Sequence, residues 1–287
     1  MDAAPASNAT LVDFPRATSP ATLLVEPRRI AWVHIPKCGT SFGNTLVHWA
    51  NWSLPADATV GTDAREFMTG YAPRRWFFDQ GNIFWMKDGN FGNHNSILAH
   101  VYRTWRGRFV GMFRSPAQRA ESAHRHFGSH VSKAEYALRI RGSATTMLAG
   151  QSFGLNCVWP KRFNCSKVTP NIDLALARLS GFAFVGLTEL YDLSVCLFHV
   201  MFHGPCLPVE FSNTRPAAAH GRVPDEYTAW SPWGGIIDGD DWRLYAEATR
   251  MFWAALHTYR VNELVCQRVC PLAGDRFAAY RDLFRRL

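Results

Sequence analysis

The sequence has no run approaching the roughly 18 consecutive apolar residues that a membrane-spanning helix needs. Its longest candidate, residues 193–202, is short and follows Glu189 and Asp192, so it reads as a core helix. A secretory signal is also missing: residues 1–27 carry Asp2, Asp13 and several prolines where a basic segment and an apolar run would stand. The expectation from these two absences is a protein of the cytoplasm, or one whose targeting segment is missing from this chain. Membrane association would then need an anchor from elsewhere.

Other absences narrow the function. No CxxC pair occurs, and the close pair Cys266 and Cys270 has neither a second pair nor a His couple nearby in sequence, which weakens a zinc reading. The Walker pattern GxxxxGK[ST] does not occur, which disfavours a nucleotide kinase or NTPase. Nothing resembles a nucleic-acid motif, and the basic residues form no continuous stripe. Charged residues are only 19% against 47% hydrophobic, which excludes an intrinsically disordered chain.

What is present is a 287-residue chain, enough for one large domain or two small ones. Lys and Arg number 31 against 23 acidic residues, a surplus of +8 that favours an anionic partner such as a nucleotide, an anionic glycan or nucleic acid. Eleven tryptophans could stack on sugar rings or bases, although most such rings fill cores. Apart from Cys38, the cysteines 157, 165, 196, 206, 266 and 270 fall into three locally spaced pairs, consistent with disulfides in an oxidising compartment. Sequons at Asn8, Asn51 and Asn164 point the same way, toward a lumenal or secreted setting.

Residues 1–28, rich in Pro, Ala, Ser and Thr, read as a flexible leader, and residues 29–287 as a single domain. Residues 30–35 (IAWVHI) predict a strand, 37–41 (KCGTS) a small-residue loop and 42–50 a helix. A second strand is expected at 108–113 (RFVGMF), followed at Arg114-Ser115-Pro116 by a helix start with Pro in its first turn and a basic run to His126. A third strand is expected at 182–186, with Thr188 as N-cap of a helix to Phe202. Apolar residues at three- and four-residue intervals predict an amphipathic helix over 240–260. Strands alternating with helices argue for an α/β fold with a mostly parallel central sheet flanked by helices. Residues 51–93 and 204–239, irregular and rich in Gly, Pro and Trp, are expected as loops over its binding face.

The loop at Pro36-Lys37-Cys38-Gly39-Thr40-Ser41 carries the most chemistry. A strand feeding a tight loop into a helix offers backbone N–H groups and a positive helix end to an anion, and Lys37 adds a mobile charge. As a bare pattern, an ordinary strand-to-helix turn would look the same. Arg114, at a strand end, and Ser122, on the following helix, could hold one phosphate between them. The bland alternative is a solvated basic face carrying Arg119, His124, Arg125 and His126.

Taken together, HIPKCGTSF (34–42) and FRSPAQRAESAHRHF (113–127) resemble the two cofactor motifs of the carbohydrate sulfotransferases that use 3′-phosphoadenosine-5′-phosphosulfate (PAPS). The likeness is nearest to the Golgi branch containing the heparan sulfate 2-O- and 6-O- and the chondroitin and dermatan enzymes. It continues through TTMLAG (145–150), similar to a substrate-side segment of that branch, and FVGLTE (184–189), similar to its late strand and helix. In order, the match runs through about residues 30–256.

The resemblance implies a P-loop-like sulfotransferase fold. It further implies that the stretch Lys37, Cys38, Gly39, Thr40, Ser41 and Phe42 holds the 5′-phosphosulfate and that Arg114 and Ser122 hold the 3′-phosphate. Family members usually have RDP where this chain reads Arg114-Ser115-Pro116, and often Thr-Gly or Gly-Gly at Cys38-Gly39. Neither change removes a phosphate ligand.

Sulfuryl transfer needs a base, for which a neutral His is suited. The related 2-O enzymes carry theirs in a GHxxF segment, and His94 occupies that place here without the Gly-His pair. His100 is the second candidate and Asp88 the third. No metal is required. The expected acceptor is a glycan, anionic or neutral, with Arg74, Arg75, Arg103, Arg106 and Arg108 near the base suiting a polyanion, and a small alcohol or phenol as alternative. On this reading Cys157 with Cys165, and Cys196 with Cys206, would be disulfides in the Golgi lumen. The rival from another class is a non-catalytic polyanion binder.

Overall fold

The computed structural model describes residues 31–39, 42, 94, 96–128, 130–151, 168–203, 206–211 and 238–286. Three short apolar runs make a parallel sheet in the order β1 (Ala31–Val33), β2 (Phe109–Phe113), β3 (Phe182–Leu187). Ala31 pairs with Phe109 and Val33 with Gly111, while β2 and β3 run in register from Val110–Phe184 to Phe113–Leu187 after a bulge at Phe109/Val110. Parallel neighbours need crossover connections, which in such sheets pack on the faces, and the strands here are buried nearly throughout.

The described parts of the connections and of the C-terminal region are mostly helix around this small sheet: α1 (Ala99–Trp105), α2 (Pro116–Ala123), α3 (Lys133–Ile140), α4 (Ser143–Leu148), α5 (Ile172–Leu179), α6 (Tyr191–Phe202), α7 (Gly239–Thr258) and α8 (Glu263–Val269). Their starts follow the chemistry of the exposed N–H groups: Ser115, Ser132, Asn171, Asp238 and Asn262 each accept a first-turn amide. Thr188 does not. It lies in a short 3-10 turn, Thr188–Leu190, and α6 begins three residues later with no side-chain cap. Ser194 supplies the tie instead, accepting from Leu187 N at 2.8 Å and donating to Leu190 O at 3.0 Å.

An aromatic core fills the space between sheet and helices. The Phe184 ring meets Phe198 edge-on at 5.3 Å and stacks on Phe42 at 5.6 Å. The buried apolar stripe of α7, Leu244, Ala248, Phe252 and Leu256, joins this core, and α7 packs on β3.

Two disulfides join α6 and the segment after it to α8: Cys196–Cys266 and Cys206–Cys270. Local pairing of Cys196 with Cys206, and of Cys266 with Cys270, is therefore incorrect. Helix α6 carries the chain about 9 Å beyond Cys196 by Phe202 at 1.5 Å per residue, while Cys266 of α8 meets α6 and Cys270, the residue that ends α8, meets the segment after it. Cys157, Cys165, the three sequons and the leader lie outside the described residues. No helix among the described residues is long and apolar enough to cross a membrane.

Candidate functional site

At the end of β1 the chain turns sharply. Ile35 O accepts the Cys38 amide at 3.2 Å, closing a turn with Pro36 and Lys37 at its centre. Pro36 fixes the first central φ, and the second, at Lys37, is +65°. A Gly would adopt this conformation without cost, whereas an L side chain is disfavoured there by ~1 kcal/mol or more. The chain therefore keeps a lysine in a strained place, half-buried at the mouth of the loop. Gly39 follows with φ +71°, and a Cβ there would meet Thr188 Cγ2 at 3.2 Å and Met112 Cβ at 3.3 Å. The loop thus sits against the C-terminal ends of β2 and β3, the edge where open α/β sheets bind ligands.

Not every residue of the loop faces outward. The Cys38 side chain is buried and its thiol is pushed up to about 12 by burial, so Cys38 is a neutral core group, and its amide is already spent on Ile35 O within the turn. Phe42 is also buried, stacked on Trp32 at 5.5 Å, and its amide is spent on Gly39 O at 3.0 Å. It anchors the chain after the loop by packing. Thr40 and Ser41 lie outside the described residues.

The second motif converges on the first. Arg114 leaves the end of β2, and its Nη1 donates to Lys37 O at 3.4 Å while Nε donates to Gln118 Oε1 at 3.4 Å. Ser115 caps α2, with Pro116 at the first helical position. The Ser115 amide donates at 2.8 Å to Oε1 of Glu189, which follows β3, so all three strand ends are tied together. Tyr245 of α7 also hydrogen-bonds Glu189, and burial together with that carboxylate raises its phenol. Ser122 sits half-buried in the second turn of α2. Sequence reasoning missed Glu189 and Tyr245 as members of this edge, although Glu189 directly follows the third predicted strand.

His94 reaches the same edge. Its Nδ1 lies 2.7 Å from His34 O, and the two rings stand 4.2 Å apart. A carbonyl oxygen only accepts, so Nδ1 carries the hydrogen, and in the neutral ring the lone pair is on Nε2, the tautomer a general base uses. His34 precedes Lys37 by three residues, which puts His94 beside the loop. His100 is exposed on the second residue of α1, and Asp88, Arg74 and Arg75 lie outside the described residues.

Three expectations change. Arg106 and Arg108 lie at the start of β2, where Arg108 O accepts the Ala31 amide, and Arg103 lies in the last turn of α1 leading there. β2 separates that edge from Arg114 by about 17 Å at 3.3 Å per residue, so these arginines do not surround His94. Within 145–150, the residues Thr145 to Ala149 are buried, with the Thr145 hydroxyl donating to Asp241 Oδ1 at 2.7 Å, so this stretch is core and not an open substrate face. Arg119 is not on a solvated face: it is 1% exposed, donates to Ser143 Oγ at 2.6 Å and pairs with Asp241 of α7. Arg125 and His126 are exposed, as that alternative expected.

No protein-family model matches the chain, and comparison with curated proteins and with solved structures finds no match.

Proposed function

We propose that the chain is a PAPS-dependent O-sulfotransferase with a P-loop-like sulfotransferase fold that modifies a hydroxyl of a carbohydrate acceptor, a glycan or polysaccharide, in the Golgi lumen. The observation that carries the proposal is the Arg114 guanidinium at the Lys37 carbonyl: two cationic motifs 77 residues apart meet at the ligand-binding edge of a parallel sheet. The charged groups suit a ligand with two separate anionic groups, with the Lys37 ammonium for one and the Arg114 guanidinium for the other. Two disulfides are what an oxidising compartment allows and a reducing one seldom keeps.

When bound, PAPS supplies the sulfuryl group, leaving as adenosine 3′,5′-bisphosphate (PAP). The work of the chain is positioning and charge. Lys37 neutralises negative charge that develops on the leaving side, and Arg114 fixes the far phosphate. His94 Nε2 takes the proton of the acceptor hydroxyl, with Nδ1–H held on His34 O so that the ring keeps its tautomer.

The test is transfer of labelled sulfate from PAPS to a panel of desulfated and native glycans. His94→Ala should lower turnover by about 10²–10⁴-fold while PAP affinity stays within a factor of about two. Salt-sensitive heparin binding with no transfer and no PAP affinity would favour the polyanion binder instead.

A further inference from the structure

A second cluster of chemistry-bearing side chains lies at the junction of α6 and α8, and none of its residues belongs to the loop or to the strand ends. His199 of α6, Cys206 and Cys270 place their ligand atoms within 4.8 Å of one another, and all three are buried. Buried Glu210 adds a carboxylate, its Oε2 facing His199 Nε2. Nothing in the sulfuryl-transfer reading uses these groups.

We propose that His199, Cys206 and Cys270 form a latent site for a thiophilic divalent cation of the zinc class, opened when a dithiol reductant breaks the Cys206–Cys270 bond. The balance is simple. The dithiol gives two electrons and two protons, becomes a disulfide itself, and leaves two thiols; the cation then replaces the two thiol protons.

Geometry favours the exchange. Zn–S and Zn–N bonds of roughly 2.3 and 2.0 Å place the donors of a tetrahedral centre about 3.5 Å apart, so the three atoms are already gathered. Glu210 on Nε2 is the carboxylate–histidine arrangement that orients a metal-bound ring, and Nδ1, 3.3 Å from His203 O, would exchange that long contact for the metal. A dication also cancels two thiolates in a dry setting, where two bare thiolates would not persist. Residues 206 and 270 would stay cross-linked in both states, by sulfur under oxidising conditions and by metal under reducing ones. In sequence Cys266 and Cys270 lack a nearby partner for zinc; the fold brings one of them His199 and Cys206 from about 70 residues away.

The experiment uses the full chain, reduced anaerobically with a water-soluble phosphine, which takes oxygen from water as the S–S bond opens, until alkylation and mass analysis show free Cys206 and Cys270. Cobalt(II) is then titrated in. The expected result is one cobalt per chain, with a thiolate charge-transfer band and the strong visible bands of a four-coordinate ion, absent before reduction. Zinc should displace cobalt and shift the melting temperature of the reduced chain upward. A Cys196→Ser/Cys266→Ser double variant should keep the bands, and Cys270→Ser should lose them. Where Cys270→Ser does not fold, His199→Gln makes the same comparison and should weaken binding at least tenfold. No cobalt uptake by the reduced chain, uptake unchanged in Cys270→Ser or His199→Gln, or uptake lost in the double variant would overturn the proposal.

Discussion

Lys37 holds a conformation that its side chain disfavours, and that gives the residue a distinctive signature. Lys37→Gly relieves the strain at φ +65° while adding unfolded-state entropy, two effects of ~1 kcal/mol that oppose each other. We expect stability by thermal unfolding to be unchanged or raised by up to about 1 kcal/mol, while turnover falls of order 10²-fold or more through the lost ammonium. A structural lysine would give the reverse: lost stability with function intact. That a tight turn follows β1 at residues 36–39 was legible from small residues and Pro36 ending an apolar run. Its internal division was not. Cys38 and Phe42 turn into the core because the turn at Pro36-Lys37 sets which side chains face Met112, Thr188 and the aromatic cluster, and those neighbours come from distant segments. The tautomer of His94 was hidden for the same reason, since it depends on a carbonyl 60 residues away.

Among the elements, α2, α4 and α7 are locked by buried charge. The Asp241 carboxylate accepts from the Ala144 and Thr145 amides and the Thr145 hydroxyl besides pairing with Arg119. Removing one partner of a buried pair leaves an uncompensated charge, so Arg119→Met should lower unfolding free energy by about 3–5 kcal/mol in denaturant melts and loosen the helix that follows Arg114. A change below ~1 kcal/mol would mean that Asp241 is not charged or not dry. Asp238, which caps α7 and accepts the Gly142 amide at 3.0 Å, is pushed up to about 8 by burial and by the Asp241 carboxylate. The folded protein then holds a proton that the unfolded chain releases near 3.8, so this contribution to stability is full below that value and is lost as pH rises toward 8. Asp238→Asn keeps a capping oxygen and should flatten the fall in melting temperature between pH 5 and about 8.5. The periodicity of α7 was readable from its apolar stripe. The burial of Arg119 was not, because a basic residue amid Arg125 and His126 looks solvated until Asp241, 122 positions on, is placed against it.

For the whole molecule, the three strands were legible as continuous apolar runs ended by turn chemistry, the pattern of a sheet covered on both faces. The disulfide topology was not, because sequence proximity says nothing of which helices pack. Cys196–Cys266 and Cys206–Cys270 close loops with sequence separations of 70 and 64, and in the chain-entropy account a single bridge of that span is worth about 4 kcal/mol. A non-reducing peptide map should yield these two linkages, and a peptide joining Cys196 to Cys206 would contradict the packing of α8 on α6.

The central claim is that the two motifs form one nucleotide site. Calorimetric titration of the full chain with PAP, alongside Lys37→Ala and Arg114→Ala, tests it most directly. The account predicts micromolar, one-to-one binding by the parent chain and loss of binding in both variants, each still folded by circular dichroism. A folded parent chain that binds no PAP, or variants that bind it as tightly as the parent, would contradict it.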